Sequence, residues 1–252
     1  MTILNTKGGF WGDIGGVVAP TFVPSDISGL TLWLKADSLV LNNDDPVTTW
    51  ADSSGLGNDV TQATVAKKPT YKTNIQNSKP VVRFDGTDDK INGAVNLSTL
   101  FSVSAMTAFA VFKASVINTD AANGYENDCI WMHNTNANIG MVLRSTGPTV
   151  SAYNFDNGSD FAASNINTTN FFAAMMRHQS GNIHSSINAG SETTTVSGNT
   201  SDLNAPVGVG ANYNETAFMA GDIAEIIFYN TALSAADIAR VYAYLNTKYA
   251  IY

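Results

Sequence analysis

Six oxygen-bearing side chains in two turn-forming stretches are the first candidates for chemistry in this sequence. They are Asp52, Asn58 and Asp59 in one stretch, and Asp85, Asp88 and Asp89 in the other. Carboxylate and amide oxygens on flexible turns suit calcium, so these residues are its candidate ligands. The alternative is that they only shape turns, because Asp and Asn side chains bond nearby backbone amides. We expect no required cofactor, and calcium is the one candidate.

Glu225 is a second candidate, because it is a single carboxylate among isoleucines. An unpaired carboxyl in such surroundings would have a raised pKa, as a general acid does. We favour the alternative, a structural ion pair, with Arg83 as the expected partner. Two histidines offer no metal site, because a Ser180-Gly181 turn would place His178 and His184 on opposite faces of a hairpin.

Aromatic side chains near Asn-rich loops are candidates for sugar binding: Tyr125, Tyr153, Phe155 and Tyr213. Saccharides pack on exposed aromatic rings that have amides and carboxylates beside them. The alternative is core packing or scattered surface aromatics.

The elements that must position these residues read as strands followed by one helix. Gly221–Asn230 and Met106–Lys113 are apolar on both faces, which predicts central strands in a two-layer sandwich. Shorter apolar runs between turn signals fill the rest at the spacing of a sandwich. Ser234, three residues before Asp237, predicts a helix start, and apolar residues follow at helical spacing.

Composition limits the class of function. The chain has 252 residues, a net charge of −8 and only 13 Lys and Arg, so nucleic acid is an unsuitable partner. One cysteine, Cys129, precludes an internal disulfide and lies in an apolar run. No apolar stretch is long enough to span a membrane, and no secretory signal is recognisable. We therefore expect synthesis in a host cytoplasm.

Residues 1–29 differ from the remainder and are interpreted as an N-terminal arm, with one domain at 30–252. Repeated Gly and Pro preclude regular structure there. Six apolar side chains are candidates for a partner-binding surface: Phe10, Trp11, Val17, Val18, Phe22 and Val23. The arm either packs along its own domain or docks onto another subunit.

Three segments resemble the laminin-G-like, concanavalin-A-like jelly-roll domains of bacterial and phage proteins. They are Leu32–Asp37 leading into Trp50–Gly55, then Lys79–Gly86 with Asp88-Asp89 behind it, and Gly221–Ile226 continuing through Leu233-Ser234 to the closing helix. The resemblance implies an all-β, two-sheet antiparallel sandwich with a short C-terminal helix. Members of this family act as adhesive modules, glycan binders, appendages of enzymes and virion parts, so the fold alone does not identify a ligand.

The laminarinase-like glycosidases that share this jelly roll carry a Glu-x-Asp-x-Glu pattern on one strand, which this chain lacks, and a pair of Asp residues brought together by folding is the remaining route to such chemistry. We therefore expect no enzyme activity. The leading hypothesis is a structural module of a bacteriophage virion, in the capsid or tail, present in several copies and attached to other virion proteins through the arm. The alternative is a lectin-like module for cell-surface polysaccharide, and a glycoside-active enzyme comes third.

Overall fold

Two antiparallel β-sheets packed face to face make up most of the chain. The computed structural model describes residues 21–102, 104–117, 128–133, 139–144, 149–154, 160–196, 203–211, 215 and 217–252. The described residues form sixteen strands, β1–β16, and two α-helices, α1 (Leu97–Leu100) and α2 (Ala235–Tyr249). The predicted all-β, two-sheet jelly-roll sandwich with a C-terminal helix is confirmed.

The first sheet has the order β14-β13-β12-β7-β16-β5-β4, and β1 also pairs with β16. Its strands are β1 (Leu30–Lys35), β4 (Thr70–Gln76), β5 (Lys79–Asp85), β7 (Ala105–Ala114), β12 (Phe172–Gln179), β13 (Asn182–Ile187), β14 (Thr193–Val196) and β16 (Ala220–Tyr229). The second sheet has the order β11-β10-β9-β8-β15-β6-β3-β2. Its strands are β2 (Thr49–Trp50), β3 (Val60–Thr61), β6 (Ile91–Asn96), β8 (Cys129–His133), β9 (Ile139–Arg144), β10 (Thr149–Asn154), β11 (Asp160–Asn165) and β15 (Pro206–Val209).

The position of strand β16 inside the first sheet explains why both of its faces are apolar. Ile226 and Phe228 point into the core between the sheets, whereas Ile227 and Tyr229 belong to a second apolar cluster on the outer face. Because side chains alternate along a strand, covering both faces buries nearly every residue of β16. The first sheet is therefore a middle layer between the second sheet and helix α2.

Helix α2 covers that outer face with one apolar stripe. Ser234 is its N-cap, and its hydroxyl accepts from the backbone N–H of Asp237. The stripe predicted from helical spacing is buried and consists of Ile238, Val241, Tyr242 and Leu245. Burying side chains of this size contributes about 1.5–3 kcal/mol each, which fixes the helix on the sheet. No helix among the described residues is long and apolar enough to cross a bilayer.

A buried carboxylate joins α2 to the sheet. Glu225 is 0% exposed and accepts four hydrogen bonds. Its donors are Trp33 Nε1 at 2.5 Å, Tyr244 Oη at 3.1 Å, Lys248 Nζ at 2.8 Å and Tyr249 Oη at 2.8 Å. A desolvated carboxylate is tolerated only when charge and hydrogen bonds compensate it, and here all the compensation comes from β1 and α2.

The expected pairing of Glu225 with Arg83 is wrong. Arg83 instead makes a two-pronged contact with Asp222, which lies opposite it in the β16–β5 ladder, at 2.6 and 2.9 Å. The structural role expected for Glu225 is correct, and the identity of its partner is not. The predicted hairpin register does hold, since His178 pairs with Ile183 across β12 and β13.

We predict that Glu225→Gln lowers the free energy of unfolding by about 2–4 kcal/mol, because it leaves the largely buried Lys248 ammonium without one of its two carboxylate partners and removes the charge that the other donors of Glu225 stabilise. Glu192→Gln is the matched control. Its carboxylate is 29% exposed and pairs with Arg177 at 2.6 Å, so its loss should cost less than about 1 kcal/mol. Urea denaturation followed by circular dichroism measures both, and equal losses would contradict the assigned role of Glu225.

Candidate functional site

A cleft of about 590 Å³ opens between β1, the start of the described chain and helix α2. Its walls combine aromatic rings with charged side chains: Phe22, Trp33, Lys35, Asp37, Lys79, Arg240, Tyr244 and Lys248. This volume is within the range of small-molecule sites, which are mostly apolar with a few converging polar groups. We call it the helix cleft.

Local structure explains why these side chains meet. Trp33 and Lys35 are two residues apart on β1, so both point to the outer face of the sheet. Arg240, Tyr244 and Lys248 are four residues apart on α2 and form one stripe along the helix. The helix therefore presents a cationic and aromatic edge to the strand, beside the apolar stripe that holds it down.

The aromatic rings in the helix cleft contact one another edge to face. Tyr244 is 6.2 Å from Trp33 and 6.5 Å from Phe22 between ring centroids, with interplanar angles of 72° and 82°. Burial and the adjacent Glu225 carboxylate raise the pKa of Tyr244 far above its usual value. Its hydroxyl therefore stays protonated at every physiological pH and donates a hydrogen bond to Glu225.

Cations cover these rings and set the charge of the cleft. Lys35 Nζ lies 4.1 Å from the centre of the Trp33 ring, and the Arg240 guanidinium lies 4.4 Å from that of Phe22. Such contacts are favourable because the ring face is electronegative. The cleft can thus offer apolar ring surface, ammonium donors and one carboxylate to a single ligand.

The residues predicted for sugar binding fall mostly outside the described part of the chain. Tyr125, Phe155 and Tyr213 lie outside it. Tyr153 belongs to β10, where its backbone pairs with Gly140 and Phe161. The four remain predicted glycan-binding residues.

The candidate partner-binding residues divide in the same way. Phe10, Trp11, Val17 and Val18 lie outside the described residues. Phe22 and Val23 are partly buried against the outer apolar cluster of their own domain. For these two side chains, packing along the domain is the arrangement observed, and the arm itself remains a prediction.

The first acidic stretch is organised as a turn. The Asp52 carboxylate accepts from the backbone N–H groups of Trp33, Ser54 and Asn58 at 2.8–3.0 Å. Asp59 in turn accepts from the backbone of Asp52 at 2.8 Å. The oxygen atoms of Asp52 are therefore already bonded to this turn and to β1, which favours the turn-forming alternative for this group.

The second acidic stretch brings three carboxylates together. Oxygen atoms of Asp85, Asp88 and Asp89 all lie within 4.8 Å of one another, and among the described residues no other group of three His, Cys, Asp or Glu does so. Burial, together with the charges of Asp85 and Asp88, raises the pKa of Asp89 to about 7. A divalent cation would relieve this repulsion, so these three residues fit the predicted calcium ligation best.

Comparison with known proteins establishes the fold. No protein-family model matches the chain, and no curated protein matches it either. Solved structures do: a Trypanosoma rangeli sialidase bound to the inhibitor DANA aligns with a TM-score of 0.60 and 12% identity over 88% of this chain and 34% of its own. Domain 4 of AbnA, a GH43 extracellular arabinanase from Geobacillus stearothermophilus in complex with arabinotriose, aligns with a TM-score of 0.59 and 14% identity. This alignment covers 83% of this chain and 96% of the arabinanase domain. The binding domain of Paraclostridial Mosquitocidal Protein 1 aligns with a TM-score of 0.64 and 12% identity, over 88% of this chain and 53% of its own.

These similarities correct one expectation and leave others unsupported. The chain spans about a third of the length of the sialidase it matches. The prediction excluded enzyme activity for this chain. That exclusion is wrong, because the same sandwich occurs in proteins named as a sialidase and an arabinanase. The lack of a Glu-x-Asp-x-Glu strand therefore does not remove glycoside chemistry from the candidate functions. The jelly-roll sandwich is shown, and the phage type is not.

We predict that Asp89→Asn stabilises the metal-free protein at pH 8 by about 1–4 kcal/mol, since one pKa unit is worth about 1.4 kcal/mol. The wild-type carboxyl has a folded pKa of about 7 against 3.8 when unperturbed, so its favourable protonated form is lost as pH rises through 7. The difference between variant and wild type should shrink from pH 8 to pH 4. Asp44→Asn, whose pKa is lowered by the bond to Lys72, should give no gain.

We predict a cation response at the same turn. Calcium at about 1 mM, the range of weak extracellular sites, should raise the melting temperature of the wild type. Asp88→Asn should lose most of that increase, and the exposed Asp44→Asn should keep it. Differential scanning fluorimetry after EDTA treatment measures the shift, and an unchanged wild-type melting temperature would exclude a calcium site at this affinity.

Proposed function

We propose that the chain is a carbohydrate-binding β-sandwich domain that holds a saccharide in the helix cleft. The observation that carries the proposal is the grouping of Phe22, Trp33 and Tyr244 in one cleft with charged side chains at its rim. A saccharide has apolar C–H faces and a ring of hydroxyls, and this combination matches both.

The cleft can serve each part of a sugar. Ring surface on Tyr244 would pack against the C–H face, as would that of Phe22 once the half-exposed Arg240 side chain moves aside. Asp37 accepts hydrogen bonds from hydroxyls and Lys79 donates them. The Trp33 indole lies under Lys35, so access to that face requires the lysine chain to swing aside. Within the described residues Lys35 Nζ makes no hydrogen bond or ion pair, so little opposes this movement.

The similar structures support the proposal through their fold only. The arabinanase domain is in complex with arabinotriose and aligns over nearly its whole length, and one of the sialidase structures is in complex with sialic acid. At 11–14% identity their ligands do not transfer to particular residues here. They show that sandwiches of this shape occur in proteins that handle saccharides.

The virion hypothesis is the second candidate. None of the three similar structures described above is named as a virion part, so saccharide binding is the better supported function. The two functions are compatible, because a particle can adhere through a sugar-binding module. Virion location, assembly in several copies and attachment through residues 1–29 stay predictions.

We predict that Phe22→Ala weakens binding of the saccharide about tenfold or more, equivalent to at least about 1.4 kcal/mol, by removing one aromatic wall. Val65→Ala is the control, since Val65 is 75% exposed and does not line the cleft. A glycan array identifies the ligand, and isothermal titration calorimetry measures both variants.

Three outcomes of that experiment have distinct meanings. No binding to any saccharide would overturn the proposed function. Binding that Phe22→Ala leaves unchanged would move the site away from the helix cleft. The bound saccharides are also assayed for release of reducing ends, and cleavage would add catalysis to binding.

A further inference from the structure

We propose that the saccharide held in the helix cleft carries an anionic group, either a carboxylate or a sulfate. This proposal rests on the proposed function and narrows the class of ligand. The inference comes from the distribution of charge. The chain has 13 Lys and Arg against 21 Asp and Glu, yet four of the cations and only one of the carboxylates line this cleft. An acidic protein thus concentrates positive charge at its candidate ligand site.

Two of the four cations are already engaged by the fold. Lys248 Nζ contacts both Glu225 and Asp37 at 2.8 Å, and its side chain is 12% exposed. Arg240 pairs with Asp237 at 3.2 Å on the helix. Lys248 joins α2 to β16 and to the rim, whereas the Arg240 pair lies within the helix, and each of the two cations has a carboxylate partner within the protein.

The other two cations remain for a ligand. Lys79 Nζ is 3.9 Å from Asp37, at the limit of an ion pair, and its side chain is 41% exposed. Lys35 forms no ion pair with a carboxylate of the described residues, and its ammonium lies over the Trp33 ring. Each ammonium offers three N–H donors, and charge-assisted hydrogen bonds to an oxyanion are the strongest that a lysine makes.

The aromatic walls argue for a sugar rather than a bare anion. A small inorganic anion would contact the ammonium groups and make no use of the ring surface of Phe22 and Tyr244 that lines the cleft. An acidic sugar contacts both, with its ring on the aromatic side and its oxyanion near Lys35 and Lys79. Because the walls are apolar, the lysine–oxyanion contacts are partly shielded from water and gain strength.

The test uses matched pairs of acidic and neutral ligands on the full chain. Trigalacturonate is compared with its methyl ester, sialyllactose with lactose, and a sulfated disaccharide with its unsulfated form, by isothermal titration calorimetry. We expect the acidic member of at least one pair to bind tenfold tighter or more, with affinity that falls as salt rises from about 20 to 200 mM. Whichever pair responds distinguishes carboxylate from sulfate, and either response supports the proposal.

Variants connect the effect to the cleft. Lys35→Met and Lys79→Met keep most of the length of the side chain and remove its charge, so each should reduce the ratio of acidic to neutral affinity several-fold. Lys68→Met, outside the cleft lining, should retain the preference. Thermal unfolding of each variant confirms that it is folded, and the two cleft variants are independent tests.

The opposing outcomes separate this inference from the proposed function. Equal affinity for acidic and neutral members overturns the anionic ligand and leaves saccharide binding intact. Tighter binding of inorganic phosphate or ATP than of any acidic sugar also overturns it, because the occupant would then be a phosphorylated compound. Absence of binding to every saccharide overturns both proposals together.

Discussion

The arrangement of this domain depends on compensating one buried carboxylate. Glu225 lies at the centre of the middle sheet with no access to water, and a bare charge there would be prohibitively costly. Its four donors come from β1 and α2, so the helix can dock only where Lys248, Tyr244 and Tyr249 reach the strand. Apolar burial holds the helix on the sheet, and this carboxylate determines its position along it.

The same constraint produces the helix cleft. Trp33 and Tyr244 donate to Glu225 through their polar atoms and turn their ring surfaces towards the cleft. Lys248 bridges Glu225 and Asp37, which ties the rim of the cleft to its floor. The candidate site is thus part of the layer that closes the fold, and it is not an addition to a finished sandwich.

Local patterns in the sequence predicted the fold well. Strand β16 is apolar on both faces, the Ser180-Gly181 turn sets the register of its hairpin, and Ser234 begins the helix, all of which depend on nearby residues. Long-range pairing was not predictable in this way. Arg83 bonds Asp222 because the ladder places them opposite each other, whereas Glu225 meets donors 23 and 192 positions away.

The candidate site was harder to predict than the fold. Phe22, Trp33 and Tyr244 come from three distant segments, and each alone is typical of a core aromatic. One usable signal was present, the four-residue spacing of Arg240, Tyr244 and Lys248 on a helix whose apolar stripe lies elsewhere. The two acidic stretches differ for a comparable reason. Turn geometry brings Asp85 together with Asp88 and Asp89, whereas the oxygen atoms of Asp52 are bonded to backbone amides.

Residues at the base and at the rim of the helix cleft differ in how strongly the fold depends on them. This difference affects how the ligand specificity of the cleft could change during evolution. Trp33, Tyr244 and Lys248 each donate a hydrogen bond to the buried Glu225, so replacing any of them costs stability and selection for folding constrains the base of the site. Lys35 and Lys79 at the rim have only weak contacts with the protein and can be replaced at little cost in stability. Descendants of this chain could therefore acquire new ligand preferences through a few rim substitutions while inheriting an unaltered scaffold.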